Sequence, residues 1–175
     1  MGNQPVRIVD YDPEWPNQFD LEKKRLLGAI GFWLVRLEHI GSTSVPGLAA
    51  KPIIDILAGI PRLEDAIHCI TPLRALGYVY VPDYEDELPE RRYFRLSVHG
   101  VSRVHLHLVE TGSDFWKRHL LFRDYLRSHL DVAEEYAVLK RKLAEAYGFD
   151  RCGYTDSKSD FINRITTLAL AGSDG

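Results

Sequence analysis

Cysteine is scarce in this chain: two of 175 residues, Cys69 and Cys152, far apart and in no metal-like spacing. That excludes a disulfide framework and a cysteine-rich zinc site, and the two read as reduced thiols of a cytoplasmic protein. No apolar run approaches the roughly 20 residues that a membrane-spanning helix needs, so no membrane partner is expected. Met1-Gly2-Asn3-Gln4-Pro5 lacks the charged-then-apolar profile of a signal peptide. Missing too is a Gly-Lys-Ser/Thr ending on any glycine-rich turn, which excludes a P-loop. A net charge of −3 gives no general attraction for nucleic acid. The charge is uneven, however: residues 1–87 hold eight Lys/Arg against thirteen Asp/Glu, and residues 88–175 fourteen against twelve.

What is present is an ordinary globular balance, 45% hydrophobic and 27% charged, without repeats or a long linker. One domain over residues 1–175 is the expectation. Asp12-Pro13-Glu14 opens a first helix, with Trp15, Phe19, Leu26 and Ile30 on its inner stripe and Gly31 at its end. Residues 32–40 read as a strand, as does the apolar run 53–60, whose composition suits a strand covered on both faces. Residues 63–76 read as a helix interrupted at Thr71-Pro72, and residues 78–81 as another strand. Residues 93–98 and 103–109 flank His99-Gly100 as a hairpin. Helices follow over 115–130, from Asp131 (with Asp131-x-x-Glu134 as a capping box), and over about 157–171 with Phe161, Ile165 and Leu168 inward. The fold class is α/β (α+β): a mixed sheet of about five strands with flanking helices and a helical C-terminal part.

Several residues are candidates for chemistry. Gly41-Ser42-Thr43-Ser44 follows a strand and can present backbone N–H groups and hydroxyls to an anion, or cap a short helix. Asp55 lies inside Ile53-Ile54-Asp55-Ile56-Leu57, where a buried carboxylate needs a partner, Lys51 or an arginine, or a ligand. His105 and His107 are two apart on a strand and share one face. With Asp55 they form either a divalent-metal set, for Mg2+, Mn2+ or Zn2+, or a general-base and phosphate-contact set. His39 joins this cluster or hydrogen-bonds the loop. Arg91, Arg92, Arg95 and Arg123 carry planar donors suited to phosphate, with Arg92 and Arg123 favoured. Arg127 reads as a surface ion pair and Lys140-Arg141-Lys142 as a solvated helix face.

The run from Glu38 to Ile56, with Gly41-Ser42-Thr43-Ser44, Lys51-Pro52 and Asp55 at its centre, closely resembles the signature of the GrpB-like family (glutamate-rich protein B) in the nucleotidyltransferase-like superfamily. Tyr11-Asp12-Pro13-x-Trp15, Leu76-Gly77-Tyr78, His105-Leu106-His107, Phe122-Arg123-Asp124-Tyr125-Leu126-Arg127 and Tyr154-x-x-x-Lys158 resemble its other blocks, over about residues 8–165. The resemblance implies a nucleotidyltransferase-like fold, in which Gly41-Ser42 is the phosphate turn and Asp55 the first metal acid. Thr43, Lys51, Arg92 and Arg123 then contact phosphate, His105 and His107 complete the site, and His39 and Lys158 support it. Where the wider superfamily has a second acid, this chain has Leu57. The implied function is a transferase-like protein binding a nucleotide or small phosphorylated molecule. The alternatives are a non-catalytic ligand-binding or protein-folding accessory module, related to the domain found fused to dephospho-CoA kinase, or a metal-dependent hydrolase.

Overall fold

The computed structural model describes residues 5–173, and the reading of Met1-Gly2-Asn3-Gln4 lies outside them. Helix α1 (Trp15–Ile30) buries Trp15, Phe19, Leu26 and Ile30, one stripe at 3.6-residue spacing. It starts two residues later than Asp12-Pro13 suggests. Asp12 Oδ1 accepts from the Glu14 amide (2.9 Å) in a local turn, and the proline in the first helical turn is Pro16. Strand β1 (Arg36–Ile40) is shorter than 32–40 because Gly31–Trp33 winds into a 3-10 turn. Trp33 stacks on His68 there while Phe32 is 90% exposed, so these aromatics are not strand residues.

Strand β2 (Ile54–Ile60), α2 (Ile67–Ala75), β3 (Tyr78–Tyr80), β4 (Arg91–Val98) and β5 (Val101–Glu110) follow. The helical break lies not at Thr71-Pro72 but earlier, where a 3-10 turn, Leu63–Ala66, gives way to α2; Pro72 sits inside the helix. His99 and Gly100 both have positive φ (50° and 78°), the backbone a two-residue hairpin turn needs. The sheet order is β1-β2-β5-β4-β3, with β2 and β5 parallel and every other pair antiparallel.

Alternation along the strands divides the sheet into two faces. Ile54, Ile56, Ala58, Ile60, Val104, Leu106, Leu108 and Phe94 pack against α1 and α2. On the other face Ile40, Leu57 and Val109 pack against Phe115 and Trp116 of α3 (Asp114–Ser128). Helix α3 is capped by Ser113, whose hydroxyl accepts from the Trp116 amide (3.3 Å). Helices α4 (Leu130–Tyr147), α5 (Arg151–Asp156) and α6 (Ser159–Ser173) complete this layer. Leu126, Ala133, Tyr136, Phe161 and Ile165 close over Val45 and Leu48 of the β1–β2 connection. Only His129 separates α3 from α4, so α4 begins before Asp131 and the Asp131-Glu134 capping box does not form; no side chain caps that end. Leu168 points outward, 46% exposed. No helix among the described residues is long and apolar enough to cross a membrane.

Candidate functional site

Ile40, the last residue of β1, pairs with Asp55, so Gly41 turns away directly beside the Asp55 carboxylate. Gly41 has φ +71°, and a Cβ there would overlap Asp55 Oδ2 and lie 3.1 Å from its Cβ and Cγ. Glycine is required twice, for the backbone angle and for the approach. Beyond it the chain tightens into a 3-10 turn, Ser42–Ser44, closed by the Ser44 amide and hydroxyl on the Gly41 carbonyl (3.2 and 2.6 Å). The Ser42 side chain is half-buried at the bend.

Thr43 is not a phosphate contact. Its buried hydroxyl donates to the Ile53 carbonyl (3.0 Å) and therefore accepts from His39 Nε2 (3.0 Å), which fixes the tautomer of that imidazole. His39 faces α1, on the side of the sheet opposite Asp55, and stacks on Phe19 (4.8 Å). Its role is to hold the loop. Burial pushes His39 down to about 4. The folded protein thus disfavours its protonation, so this contribution to stability is complete above pH 6.5 and is lost as the pH falls towards 4. The wild type should lose on the order of 3 kcal/mol more than a His39→Gln variant between pH 7 and 4, read from urea midpoints.

Asp55 and His105 meet across the parallel β2–β5 pair, His105 Nδ1 lying 3.1 Å from Asp55 Oδ1. His107 shares the strand face but turns to Arg91: NH1 of that arginine lies 3.4 Å from His107 Nδ1. Arginine only donates, so Nδ1 accepts, and burial followed by the Arg91 charge holds His107 well below the usual imidazole range. Among the described residues no three His, Cys, Asp or Glu side chains are placed to hold a metal ion. One carboxylate beside one available imidazole is a poor donor set for Mg2+, which prefers oxygen ligands. The Asp55–His105–His107 ligand set thus reduces to an Asp55–His105 pair.

The cations are distributed differently from the sequence expectation. Arg92 lies on the opposite face, bonded to the Pro89 carbonyl (2.9 Å) and paired with Glu85 (3.5 Å). Arg123 is 9% exposed and fully engaged: NH1 donates to Glu38 Oε2 (2.6 Å) and the His39 carbonyl (3.1 Å), Nε and NH2 to Asp124. Arg127 is no mere surface pair, since Nε and NH2 both donate to the Ser44 carbonyl (3.0 and 2.8 Å) and clamp the turn. In their place the residues facing Asp55 are Arg91, Tyr93 and Arg95, which alternate on β4 opposite Val109, His107 and His105. Arg91 is stacked among Tyr84, Tyr93 and Phe115, with its Nε buried and unpartnered. Beside it His119 of α3 donates from Nδ1 to the Phe115 carbonyl (2.8 Å) and feels the Asp55 charge.

Lysines approach from the β1–β2 connection and from the helical layer. Lys51 and Lys158 lie 4.0 and 4.4 Å from the Tyr154 ring centroid. Burial lowers the pKa of Lys158, while the Asp55 charge opposes that shift. Lys140 is not on a solvated face. It is 3% exposed, donates to the Ala49 carbonyl and lies over the Tyr136 ring. Burial, and then Lys158 and Arg141, push it down to about 7. Tyr93 and His119 were not singled out by sequence patterning, and Lys140 only as part of a solvated face; of these, only Tyr93 carries a signal, its position opposite His107 once the His99-Gly100 turn sets the register.

A family profile described as GrpB protein matches residues 5–168. The chain is 41% identical over 158 residues to the protein YqkA of Bacillus subtilis, which covers 90% of this chain but only 45% of YqkA. It is 30% identical to a dephospho-CoA kinase of Mycolicibacterium paratuberculosis, covering 93% of this chain and 45% of that one. The chain therefore spans less than half the length of these two relatives. The crystal structure of the conserved protein GrpB from Enterococcus faecalis superposes with a TM-score of 0.86 at 35% identity, over 97% of this chain and 100% of that one.

Proposed function

This chain belongs to the GrpB family, and on that premise we propose that the site at Asp55 binds a small phosphorylated molecule or nucleotide. The observation that carries the reading is the charge around Asp55. Arg95 and Asp55 are both register partners of His105, the Asp55 charge acts on Lys158, Lys51 and Lys158 share the Tyr154 ring, and the buried Lys140 feels the charge of Lys158. Packing ammonium groups together out of water is costly unless an anion compensates them. Phosphate oxygens are the natural complement to such a set.

The chemistry such a ligand would meet is general-base chemistry. With Nδ1–H given to Asp55, His105 keeps its Nε2 lone pair for a proton, and the carboxylate fixes the ring's tautomer and orientation. In a transferase-like reaction Nε2 would take the proton of the attacking hydroxyl while the lysines stabilise charge on the phosphoryl oxygens. A divalent cation, where one takes part, would arrive on the ligand's phosphates rather than reside on this donor set. A second reading is favoured by Leu57. It is buried against Ile40, Val109, Phe115 and Trp116, on the face where a second acid would point. That supports a non-catalytic ligand-binding or protein-folding accessory module.

Titration with ATP, GTP, CTP and coenzyme A, with and without Mg2+, Mn2+ or Zn2+, tests both. Saturable binding of at least one, weakened about tenfold by Lys158→Met, is the expected result. Absence of binding, or affinity indifferent to that substitution, would overturn the proposal. Turnover separates the readings: product that disappears in Asp55→Asn supports the transferase, and bound ligand without product supports the module.

A further inference from the structure

We propose that the open edge of the sheet at β1 pairs with the same strand of a second copy of this chain, giving a two-fold dimer with one continuous sheet. This surface is separate from the Asp55 site and does not depend on its ligand. β1 ends the sheet and is paired with β2 alone. Which of its backbone groups face outward follows from β2. The Ile60 carbonyl accepts from the Thr111 amide just past β5 (2.9 Å), and the Gly59 carbonyl from the Val35 amide (2.8 Å). Residues along a strand bond alternately to its two neighbours, so Gly59, Leu57 and Asp55 bond towards β1. Their register partners Arg36, Glu38 and Ile40 point inward, and Leu37 and His39 direct N–H and C=O out of the sheet. Arg123 of α3 takes the His39 carbonyl (3.1 Å). The Leu37 N–H and C=O have no partner among the described residues.

That stretch is accessible. Two cavities of about 350 and 340 Å3 share Lys23, Leu37 and Glu38, so they form one trough along the strand. Leu27 and Val35 line it with apolar surface that is 47% and 57% exposed. An edge with unpaired backbone groups and apolar flanks is a template for another strand, and the Arg123 cover reaches only as far as His39. The strand's own sequence selects a second copy as the occupant. Arg36 and Glu38 flank Leu37 symmetrically. An antiparallel pairing with its two-fold axis at Leu37 makes the two Leu37 residues a hydrogen-bonded pair, each N–H donating to the other carbonyl. The same pairing sets Arg36 of each copy opposite the partner's Glu38, an attractive cross-strand pair, whereas a parallel pairing in register would oppose like charges. Arg36 is free to serve it, since its side chain is 67% exposed and holds only Glu38 of its own chain (2.5 Å). The opposite edge, β3, is three residues long, so the assembly closes at two copies.

Sedimentation equilibrium of the whole chain, over a hundredfold range of concentration up to about 100 µM, tests this. A reversible rise from 20.0 kDa towards twice that mass is expected. Arg36→Glu sets two acids against each other across the axis and should weaken association at least about tenfold. Val79→Asp, on the β3 edge, should leave association unchanged. Both side chains are largely exposed, so the folded monomer should persist in each variant. Amide hydrogen exchange locates the contact: the Leu37 N–H should exchange slowly in the concentrated wild type and quickly on dilution or in Arg36→Glu. A chain that stays monomeric throughout would overturn the proposal and leave the trough to an extended segment of another protein. A dimer indifferent to Arg36→Glu, or one whose Leu37 amide exchanges as fast as in the monomer, would overturn it equally.

Discussion

Gly41→Ala should cost about 2–4 kcal/mol of stability and abolish ligand binding. Two penalties add. An L-residue at φ +71° is strained by about 1–2 kcal/mol. The new Cβ also overlaps Asp55 Oδ2 and would push the carboxylate off His105, which it meets at 3.1 Å. Gly47 separates the two. It has φ +79° and nothing within 4 Å of a built Cβ, so Gly47→Ala should show the strain alone and leave binding intact. Urea unfolding of both variants checks this. Equal losses in the two would mean that the carboxylate does not press against the turn.

Arg123→Ala should destabilise the protein by about 3 kcal/mol while leaving the phosphate affinity of the folded fraction within about twofold. Arg123 joins α3 to β1 through Glu38 and the His39 carbonyl, in a setting where both charged side chains are largely shielded from water. Its truncation leaves the Glu38 carboxylate with only the exposed Arg36, and a surface pair of that kind offsets little. The contacts to exposed Asp124 add little to the total for the same reason. Arg123→Lys should recover less than half of the loss, since a point charge cannot serve Glu38 and the carbonyl together. Midpoints from thermal or urea unfolding check the stability, and calorimetry the affinity. A tenfold loss of phosphate affinity with unchanged stability would instead make Arg123 a ligand contact.

Much of the frame was legible because it rests on local periodicity. The α1 stripe of Trp15, Phe19, Leu26 and Ile30, the two-sided burial of β2 and the hairpin at His99-Gly100 follow from spacing and turn chemistry. The shared face of His105 with Asp55 follows from period two and a parallel pairing. The arginines were misjudged because a one-residue choice of parity exchanges Arg92 for Arg91 and Arg95. Lys140 was illegible for another reason. Lys140-Arg141-Lys142 has the composition of a wet helix, and only the packing of α4 over the Leu48–Ala49 connection shows that the first of them lies inside. The break between α3 and α4, expected at Asp131, falls within two residues of that, at His129, which stacks on Tyr125 at 3.8 Å.

The most direct measurement is a crystal structure of the protein grown with ADP at saturating concentration. The account predicts the phosphoryl groups of ADP beside Asp55 and His105, with Lys158 against them. A diphosphate bound elsewhere, for instance in the groove lined by Tyr11, Lys23, Glu38, Arg123 and Arg127 at the β1 edge of the sheet, or an Asp55 site free of ADP at that concentration, would contradict it.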